Sequence, residues 1–197
     1  MVSSQTSSER SQSTIRTACK KDRARISPQE RQQASEEIAK KIVSSELFST
    51  AANIAIYIPM KSEVDTWTLI ERAWQLKKRI FAPITQKTST LQFRQFDADS
   101  KFSTDNLGLS EPVAGDFIAA EKLDLVFTPL VAFDSQNNRI GMGGGYYDRT
   151  FSFLKKNSDI DKPVLVGIAF ERQRVEKIAP NPWDIRLFSI FTEFDGT

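Results

Sequence analysis

The feature of this sequence that most restricts its fold is an alternation of short, almost wholly apolar runs with segments of helical periodicity. Strand-like apolar runs occupy 53–58, 79–83 and 164–169, and the most apolar stretch, 123–133, is divided by Pro129. Apolar runs of this kind are typical of parallel strands that helices cover on both faces. The sequence therefore predicts an α/β fold with an open, mostly parallel sheet, which binds ligands beyond the carboxyl ends of its strands.

The first helix with a clear beginning starts at a capping box, in which Ser27 is the N-cap, Pro28 the first helical residue and Glu30 the residue that reaches back. The other predicted elements are helices over 65–77 and 145–156, loops and short turns over 97–122, and strands at 91–96 and 189–192. The strand at 91–96 alternates apolar and polar residues, which favours a half-exposed antiparallel strand.

A length of 197 residues suits one domain. Residues 1–11 are nearly all polar and are predicted to form a disordered tail, followed by a single α/β catalytic domain over 12–197. Neither an apolar membrane span nor a secretory apolar segment after Met1 is visible, so we expect no membrane association.

The sequence contains no histidine and one cysteine, Cys19. This composition excludes Ser-His-Asp and Cys-His catalysis, histidine general bases and the usual zinc sites. It also excludes an intramolecular disulfide and suits a reducing, cytoplasmic compartment. Any catalysis must use carboxylates, Lys, Arg, Tyr, Ser or backbone amides. The net charge of +2 provides no overall field for nucleic acid or membrane.

A basic segment over 10–25 carries six Lys and Arg residues and one acid, Asp22. A solvated basic helix is the favoured interpretation, with an organellar presequence or an anion-contacting segment as alternatives. Nucleic-acid binding is disfavoured because no aromatic side chain interleaves the bases.

Four of the eight glycines lie in the segment 141–145, just before a predicted helix that starts at Tyr146. Consecutive glycines allow successive backbone N–H groups to turn inward, and a helix N-terminus adds partial positive charge. The segment therefore predicts a cradle for an anion, most simply phosphate. It matches neither a Walker A loop nor a dinucleotide fingerprint. A mobile glycine hairpin without a ligand is the alternative.

Asp148 and Arg149 follow in the first turn of the predicted helix. A carboxylate in that turn is a favourable partner of the helix dipole. It would repel a phosphate in the cradle unless a cation such as Mg²⁺ bridged the two. Both interpretations of Asp148 stay open from sequence, as do a surface role and a site role for Arg149.

The residues 128–134 (TPLVAFD) and 138–149 (NRIGMGGGYYDR) closely resemble the 5-formyltetrahydrofolate cyclo-ligase family, also called 5,10-methenyltetrahydrofolate synthetase. The resemblance extends to 15–27, 60–66 and 183–185 and covers about residues 12–193. It implies a three-layer α/β fold similar to sugar-phosphate isomerases and CoA-transferases. It also implies ATP- and Mg²⁺-dependent conversion of 5-formyltetrahydrofolate to 5,10-methenyltetrahydrofolate with release of ADP and phosphate. Separately, we expect a monomer rather than an oligomer.

The resemblance also implies site residues, position by position. The implied ATP-binding residues are Arg16, Arg139, Ile140, Gly141, Met142, Gly143, Gly144, Gly145, Tyr146 and Tyr147. The implied folate contacts are Ile58, Glu63, Gly143, Gly144, Gly145 and Tyr146. Asp148 and Asp184 correspond to magnesium ligands, and Arg149 and Tyr146 are the candidate catalytic residues. Without the resemblance, Glu63 would be interpreted as a solvated loop carboxylate.

Three positions depart from the family pattern: Gln12 replaces a frequent Lys, Met142 a frequent basic residue, and Arg186 a frequent Pro. The first two remove positive charge that would contact phosphate. They motivate one alternative, a degenerate family member that binds nucleotide or folate without turnover. A second alternative is a sugar-phosphate isomerase or acyl-CoA transferase of similar fold.

Overall fold

A computed structural model of the chain describes residues 7–156 and 162–194. Its helices are α1 (Ser7–Ala24), α2 (Pro28–Val43), α3 (Glu46–Thr50), α4 (Trp67–Gln75), α5 (Tyr146–Thr150) and α6 (Phe153–Lys156). Its strands are β1 (Asn53–Ile56), β2 (Arg79–Thr85), β3 (Leu91–Gln95), β4 (Phe102–Thr104), β5 (Ser110–Pro112), β6 (Phe117–Ile118), β7 (Leu125–Pro129), β8 (Ala132–Phe133), β9 (Arg139–Ile140), β10 (Val164–Ile168) and β11 (Ser189–Phe191). Short 3₁₀ turns cover Ala120–Lys122 and Glu171–Gln173.

Seven strands form the central sheet, in the order β11–β10–β7–β1–β2–β3–β6. The pairings from β11 across to β2 are parallel, and β3 pairs antiparallel with both β2 and β6. The mostly parallel sheet and the antiparallel strand at 91–96 are thus confirmed. The reversal at β3 follows from its short connection to β2, since a parallel pairing needs a long crossover.

Helices cover both faces of the sheet, which gives the predicted three layers. Successive side chains of a strand point to opposite faces. Accordingly Ile54 and Ile56 of β1 pack in one apolar cluster with α2 and α4, whereas Ala55 packs in a second cluster around Phe151. Each parallel strand therefore buries both of its faces, which explains why the strands are continuously apolar in sequence.

Helix α1 packs outside these layers, against the β8–β9 hairpin and the turn at 171–173. Cys19 is buried there in a third apolar cluster with Ile140 and Ile178. The helix begins at Ser7, inside the segment 1–11 that the sequence predicts to be a disordered tail; residues 1–6 of that segment lie outside the described residues.

The helix predicted over 145–156 is in fact two short helices, α5 and α6. The chain interrupts the helix at Phe151, which is fully buried and whose ring packs against those of Phe93 and Tyr147. Burying this ring outweighs helix continuity, because isolated helical turns have little stability of their own. No helix within the described ranges has the length and apolar character needed to span a membrane.

Candidate active site

A cavity of about 740 Å³ opens at the carboxyl ends of the central parallel strands. Five residues from these strands and the loops after them line the cavity. Tyr57 and Ile58 follow β1, and Pro83 lies in β2. Pro129 is the last residue of β7, and Leu130 follows it. Strands β1 and β7 are neighbours in the sheet. The next parallel strand beside β1 is β2, and the next one beside β7, on the opposite side, is β10. Their diverging connections leave a crevice, the place where sheets of this kind bind ligands.

The glycine loop, residues 141–145, forms one wall of this cavity. It connects β9 to α5. Gly143 and Gly145 have φ angles of 104° and 63°, a backbone region that favours glycine. The loop is therefore a folded turn that lines the cavity, and its role as an anion cradle stays a prediction. Because α5 has only five residues, its dipole is short, and the loop N–H groups and nearby arginines must provide most of the attraction for an anion.

Helix α1 reaches the same wall through two polar side chains. Arg16 donates from Nε to the carbonyl oxygen of Gly141 at 2.8 Å, and Gln12 donates from Nε2 to that of Ala179 at 2.9 Å. Both side chains line the cavity. The basic segment of the sequence is thus divided: Lys20, Lys21 and Arg25 are exposed to solvent, as the solvated-helix interpretation expects, while Arg16 faces the cavity.

A buried arginine fixes the end of the glycine loop to the segment 181–186. Arg139 donates from Nη1 to the carbonyl oxygen of Ile185 at 2.8 Å and from Nη2 to Oδ1 of Asp148 at 2.9 Å. The same Oδ1 accepts the backbone N–H of Ile185 at 2.9 Å. This network places Asp148 and Asp184, which are far apart in sequence, on one wall of the cavity.

The two aspartates fit a magnesium ion that is held jointly with substrate phosphates. Oδ2 of Asp184 accepts two hydrogen bonds from Asn181, and Oδ1 of Asp148 accepts the two just described. Mg²⁺ commonly uses one or two carboxylates together with phosphate oxygens and water. Within 7–156 and 162–194, no group of three or more acidic or cysteine side chains could hold a metal by itself. The donors present thus suit a nucleotide-bound metal rather than a purely protein-held one.

Glu63 lies at another part of the cavity wall and is only 7% exposed, so the solvated-carboxylate interpretation is wrong. Its Oε2 accepts the N–H of Met60 at 3.1 Å, and its Oε1 is 3.6 Å from Nη1 of Arg23. Burial raises the pKa of Glu63, whereas the Met60 N–H and the Arg23 charge lower it, and the net shift is upward. Burial and the nearby Glu63 also raise the pKa of Tyr147 far above its ordinary value, so this phenol stays protonated.

The two candidate catalytic residues occupy different places. Tyr146 lines the cavity, and its ring lies beside Gly144. Arg149 is exposed and is absent from the cavity wall that the described residues form. It donates from Nε to the carbonyl oxygen of Ser89 at 2.9 Å and from Nη2 to that of Gly144. Its geometry therefore indicates that Arg149 supports the loop from outside through these two hydrogen bonds and does not contact reacting atoms.

The structure adds residues that sequence reasoning did not select. The turn between β4 and β5 contributes Leu107 and Leu109 to the cavity, and Trp183 contributes an exposed aromatic ring beside Asp184. Tyr57 was missed although it directly precedes Ile58. The only sequence signal for the turn was the Leu-Gly-Leu pattern at 107–109, and a pattern of that kind is common in surface turns.

Comparisons with known proteins agree with this arrangement. The sequence model of the 5-formyltetrahydrofolate cyclo-ligase family matches residues 8–193. The cyclo-ligase of Haemophilus influenzae is 33% identical over 180 residues, which covers 89% of this chain and 94% of that protein. The cyclo-ligase of Escherichia coli K12 is 33% identical over 174 residues, covering 86% and 93%.

A solved structure supports the same assignment. The NMR structure of 5,10-methenyltetrahydrofolate synthetase from Aquifex aeolicus superposes with a TM-score of 0.80 at 28% identity, covering 93% of this chain and 90% of that one. The chain belongs to the 5-formyltetrahydrofolate cyclo-ligase family.

Proposed function

We propose that this protein converts 5-formyltetrahydrofolate to 5,10-methenyltetrahydrofolate with ATP and Mg²⁺, releasing ADP and phosphate. The observation that carries the proposal is that a single cavity presents two unlike surfaces. One is a glycine loop flanked by Arg16 and Arg139, which suits phosphates, and the other is the buried carboxylate of Glu63, which suits a donor edge of a neutral heterocycle. A cyclisation driven by ATP requires both ligands in one cavity.

On the nucleotide side, the loop N–H groups and Arg16 would bind the phosphates, because backbone amides and guanidinium groups are strong donors to anions. Arg139 holds the Asp148 carboxylate through its hydrogen bond to Oδ1. Asp148 and Asp184 would hold Mg²⁺, which when bound neutralises charge on the transferring phosphoryl group. The loss of positive charge at Met142 and Gln12 leaves this work to the remaining arginines and the metal.

On the folate side, Glu63 would accept hydrogen bonds from the pterin, whose ring amide N–H and exocyclic amino group lie side by side. Two carboxylate oxygens match two adjacent donors. Ile58 and Tyr57 provide an apolar and aromatic wall next to Glu63, against which a flat ring can pack. Enclosure between these side chains excludes water and strengthens the hydrogen bonds to the carboxylate.

The chemistry then needs little beyond positioning. The oxygen of the N5-formyl group accepts the γ-phosphoryl group of ATP, and ADP leaves. N10 attacks the formyl carbon, the bond between this carbon and the phosphorylated oxygen breaks, and inorganic phosphate carries that oxygen away. The N10 proton is released, and the carbon now bridges N5 and N10. Phosphoryl transfer depends on alignment and charge stabilisation, which a site without histidine can supply.

The experiment is a spectrophotometric assay of the purified protein. We expect the methenyltetrahydrofolate absorbance band to appear from 5-formyltetrahydrofolate with ATP and Mg²⁺, and we expect no band when either is omitted. Glu63→Gln should raise the KM for the folate while the KM for ATP changes little. Binding of both ligands without the band would favour a non-catalytic family member instead, and failure of both ligands to bind would favour an isomerase or CoA-transferase activity.

The monomeric state, a cytoplasmic location and the absence of nucleic-acid and membrane partners remain predictions. Light scattering coupled to size-exclusion chromatography at assay concentration tests the first of them. Retention on heparin tests nucleic-acid binding, and retention on anionic vesicles tests membrane binding. We expect no retention on either, because the net charge is only +2.

A further inference from the structure

Behind the folate side of the cavity lies an ion pair between α1 and the loop after β1. Nη1 of Arg23 is 3.6 Å from Oε1 of Glu63, and the two side chains are only 5% and 7% exposed. Nη1 of Arg23 also donates to the carbonyl oxygen of Leu130 at 3.3 Å. Glu63 and Leu130 line the cavity, whereas Arg23 is not part of the wall formed by described residues.

This arginine is poorly satisfied for a purely structural one. Its Nε is buried without a hydrogen-bond partner among the described residues, and its contact with Glu63 is at ion-pair rather than hydrogen-bond distance. Burying a guanidinium is costly, and a buried ion pair is often no more stabilising than apolar residues of the same volume. The ion pair is therefore weak evidence for a role in fold stability alone, and its electrostatic effect falls on Glu63, which lines the cavity.

We propose that Arg23 is a positioning residue of the folate site, which keeps the Glu63 carboxylate ionised and oriented toward the pterin while it does not touch the substrate itself. This inference rests on the proposed function, since it assigns Glu63 to folate recognition. A protonated Glu63 would present one hydroxyl donor to a pterin edge that itself donates, and binding would weaken. Arg23 counteracts this because its positive charge favours the ionised form.

Two groups oppose the effect of burial on Glu63, first the Met60 N–H and then the charge of Arg23. On its own loop, Glu63 accepts the Met60 N–H, and Asp65 lies two residues further on. Burial raises the pKa of Tyr57, which follows β1, and of Tyr147 from α5, and both phenols are close enough to Glu63 for its charge to raise them further. Burial raises the pKa of Glu63, and among the described side chains the charge of Arg23 is what opposes it. Without Arg23, the Met60 N–H alone would oppose the burial.

The test is the pH dependence of 5-formyltetrahydrofolate binding. With Arg23→Met, we expect the KM for the folate to rise at least about tenfold at the lowest pH at which the protein stays folded, because the carboxyl protonates more readily without its cation. This KM should recover as the pH increases, because alkali ionises Glu63 even without its partner. The KM for ATP should stay within about twofold. Arg23→Lys retains a cation and should restore much of the folate affinity at low pH.

The matched control is Arg25→Met, which removes a neighbouring arginine whose pairing with Asp22 lies on the surface, with side chains 61% and 48% exposed. We expect the pH profile of this variant to follow that of the unaltered protein. When Glu63 is already replaced by Gln, adding Arg23→Met should raise the folate KM little further and should introduce no pH dependence, because residue 63 then has no carboxylate to ionise. Equal, pH-independent losses in both backgrounds would show that Arg23 is structural only and would overturn the inference.

Calorimetric binding of 5-formyltetrahydrofolate, measured on each variant over the same pH range, separates this inference from the proposed function. If the unaltered protein binds the folate but forms no methenyl product, the proposed function fails while the binding profiles still test Arg23. If the Arg23→Met and unaltered profiles coincide, the inference fails even when turnover is normal. Should Arg23→Met not fold, the Arg23→Lys profile decides, because it should shift in the same direction by a smaller amount.

Discussion

Gly144 is a position of the glycine loop at which a single added methyl group should collide with a neighbouring aromatic ring. Its neighbours Gly143 and Gly145 have left-handed backbone conformations, but Gly144 does not. A Cβ on Gly144 would lie 2.7 Å from both Cδ2 and Cε2 of Tyr146. Since Cβ contacts below 3.0 Å essentially never occur, the ring or the loop must move.

The size of the effect follows from this contact. Inserting a methyl group into an occupied space costs about 1–3 kcal/mol when neighbours must shift. The neighbour here is an aromatic ring that lines the cavity, so the shift changes the shape of the nucleotide wall. A change of 1.4 kcal/mol corresponds to a factor of about ten in rate or affinity. We therefore predict that Gly144→Ala lowers kcat/KM for ATP at least about tenfold and that Gly144→Val lowers it further.

Steady-state kinetics with varied ATP and saturating folate provide the assay, and Gly141→Ala is the comparator. Gly141 belongs to the same loop, but a Cβ there would have no atom of the described chain within 4 Å, and its φ is not left-handed. We expect Gly141→Ala to lose clearly less than Gly144→Ala, while the melting temperatures of the two unliganded variants stay close. Equal kinetics for the two variants would refute the steric argument.

Three further predictions concern residues that hold the site together. Asp148→Asn keeps the size of the side chain but weakens the contact with Arg139, so activity at limiting Mg²⁺ should fall more than tenfold, and near-normal activity there would exclude the metal role. Asp134→Ala removes the acceptor of four hydrogen bonds and should lower the free energy of unfolding by about 3 kcal/mol at neutral pH in chemical denaturation. Burial alone would raise the pKa of Asp134, but hydrogen bonds from Asn138 and Ile178 lower it overall. The stabilisation is therefore present above about pH 4 and is lost as the pH falls through the folded-state pKa of Asp134. A stability difference between Asp134→Ala and the unaltered protein that did not shrink in acid would contradict this. Arg149→Met should reduce kcat by less than about tenfold, because the side chain braces the loop from outside, and a loss of a thousandfold would restore its catalytic role.

The parallel sheet could be predicted because the physics behind it is local to each strand. A strand buried on both faces must be apolar throughout, and 53–58, 79–83 and 164–169 meet that requirement without reference to the rest of the chain. The hairpin of β4 and β5, in contrast, was not predicted, because the sequence indicated only loops and short turns over 97–122. Its strands have three residues each and are partly exposed, so they carry no periodic signal.

The glycine loop could be predicted for the same reason, since its composition alone demands unusual backbone angles. The role of Arg149 could not be predicted from the sequence. Successive residues of a helical turn point in different directions, so Asp148 faces the cavity whereas Arg149, the next residue, faces solvent. The contact of Arg23 with Glu63 joins residues from α1 and the loop after β1, and only tertiary packing brings them together. Sequence spacing carries no information about such a pair.

The central chemical claim, that ATP activates the formyl oxygen of 5-formyltetrahydrofolate in this cavity, is tested most directly by following that oxygen. The substrate is prepared with an isotopically heavy formyl oxygen and is converted in ordinary water with ATP and Mg²⁺. We predict that mass spectrometry of the products finds the heavy oxygen in inorganic phosphate, one atom for each methenyl product formed. Heavy oxygen in water, with unlabelled phosphate, would contradict direct phosphoryl transfer to the formyl group.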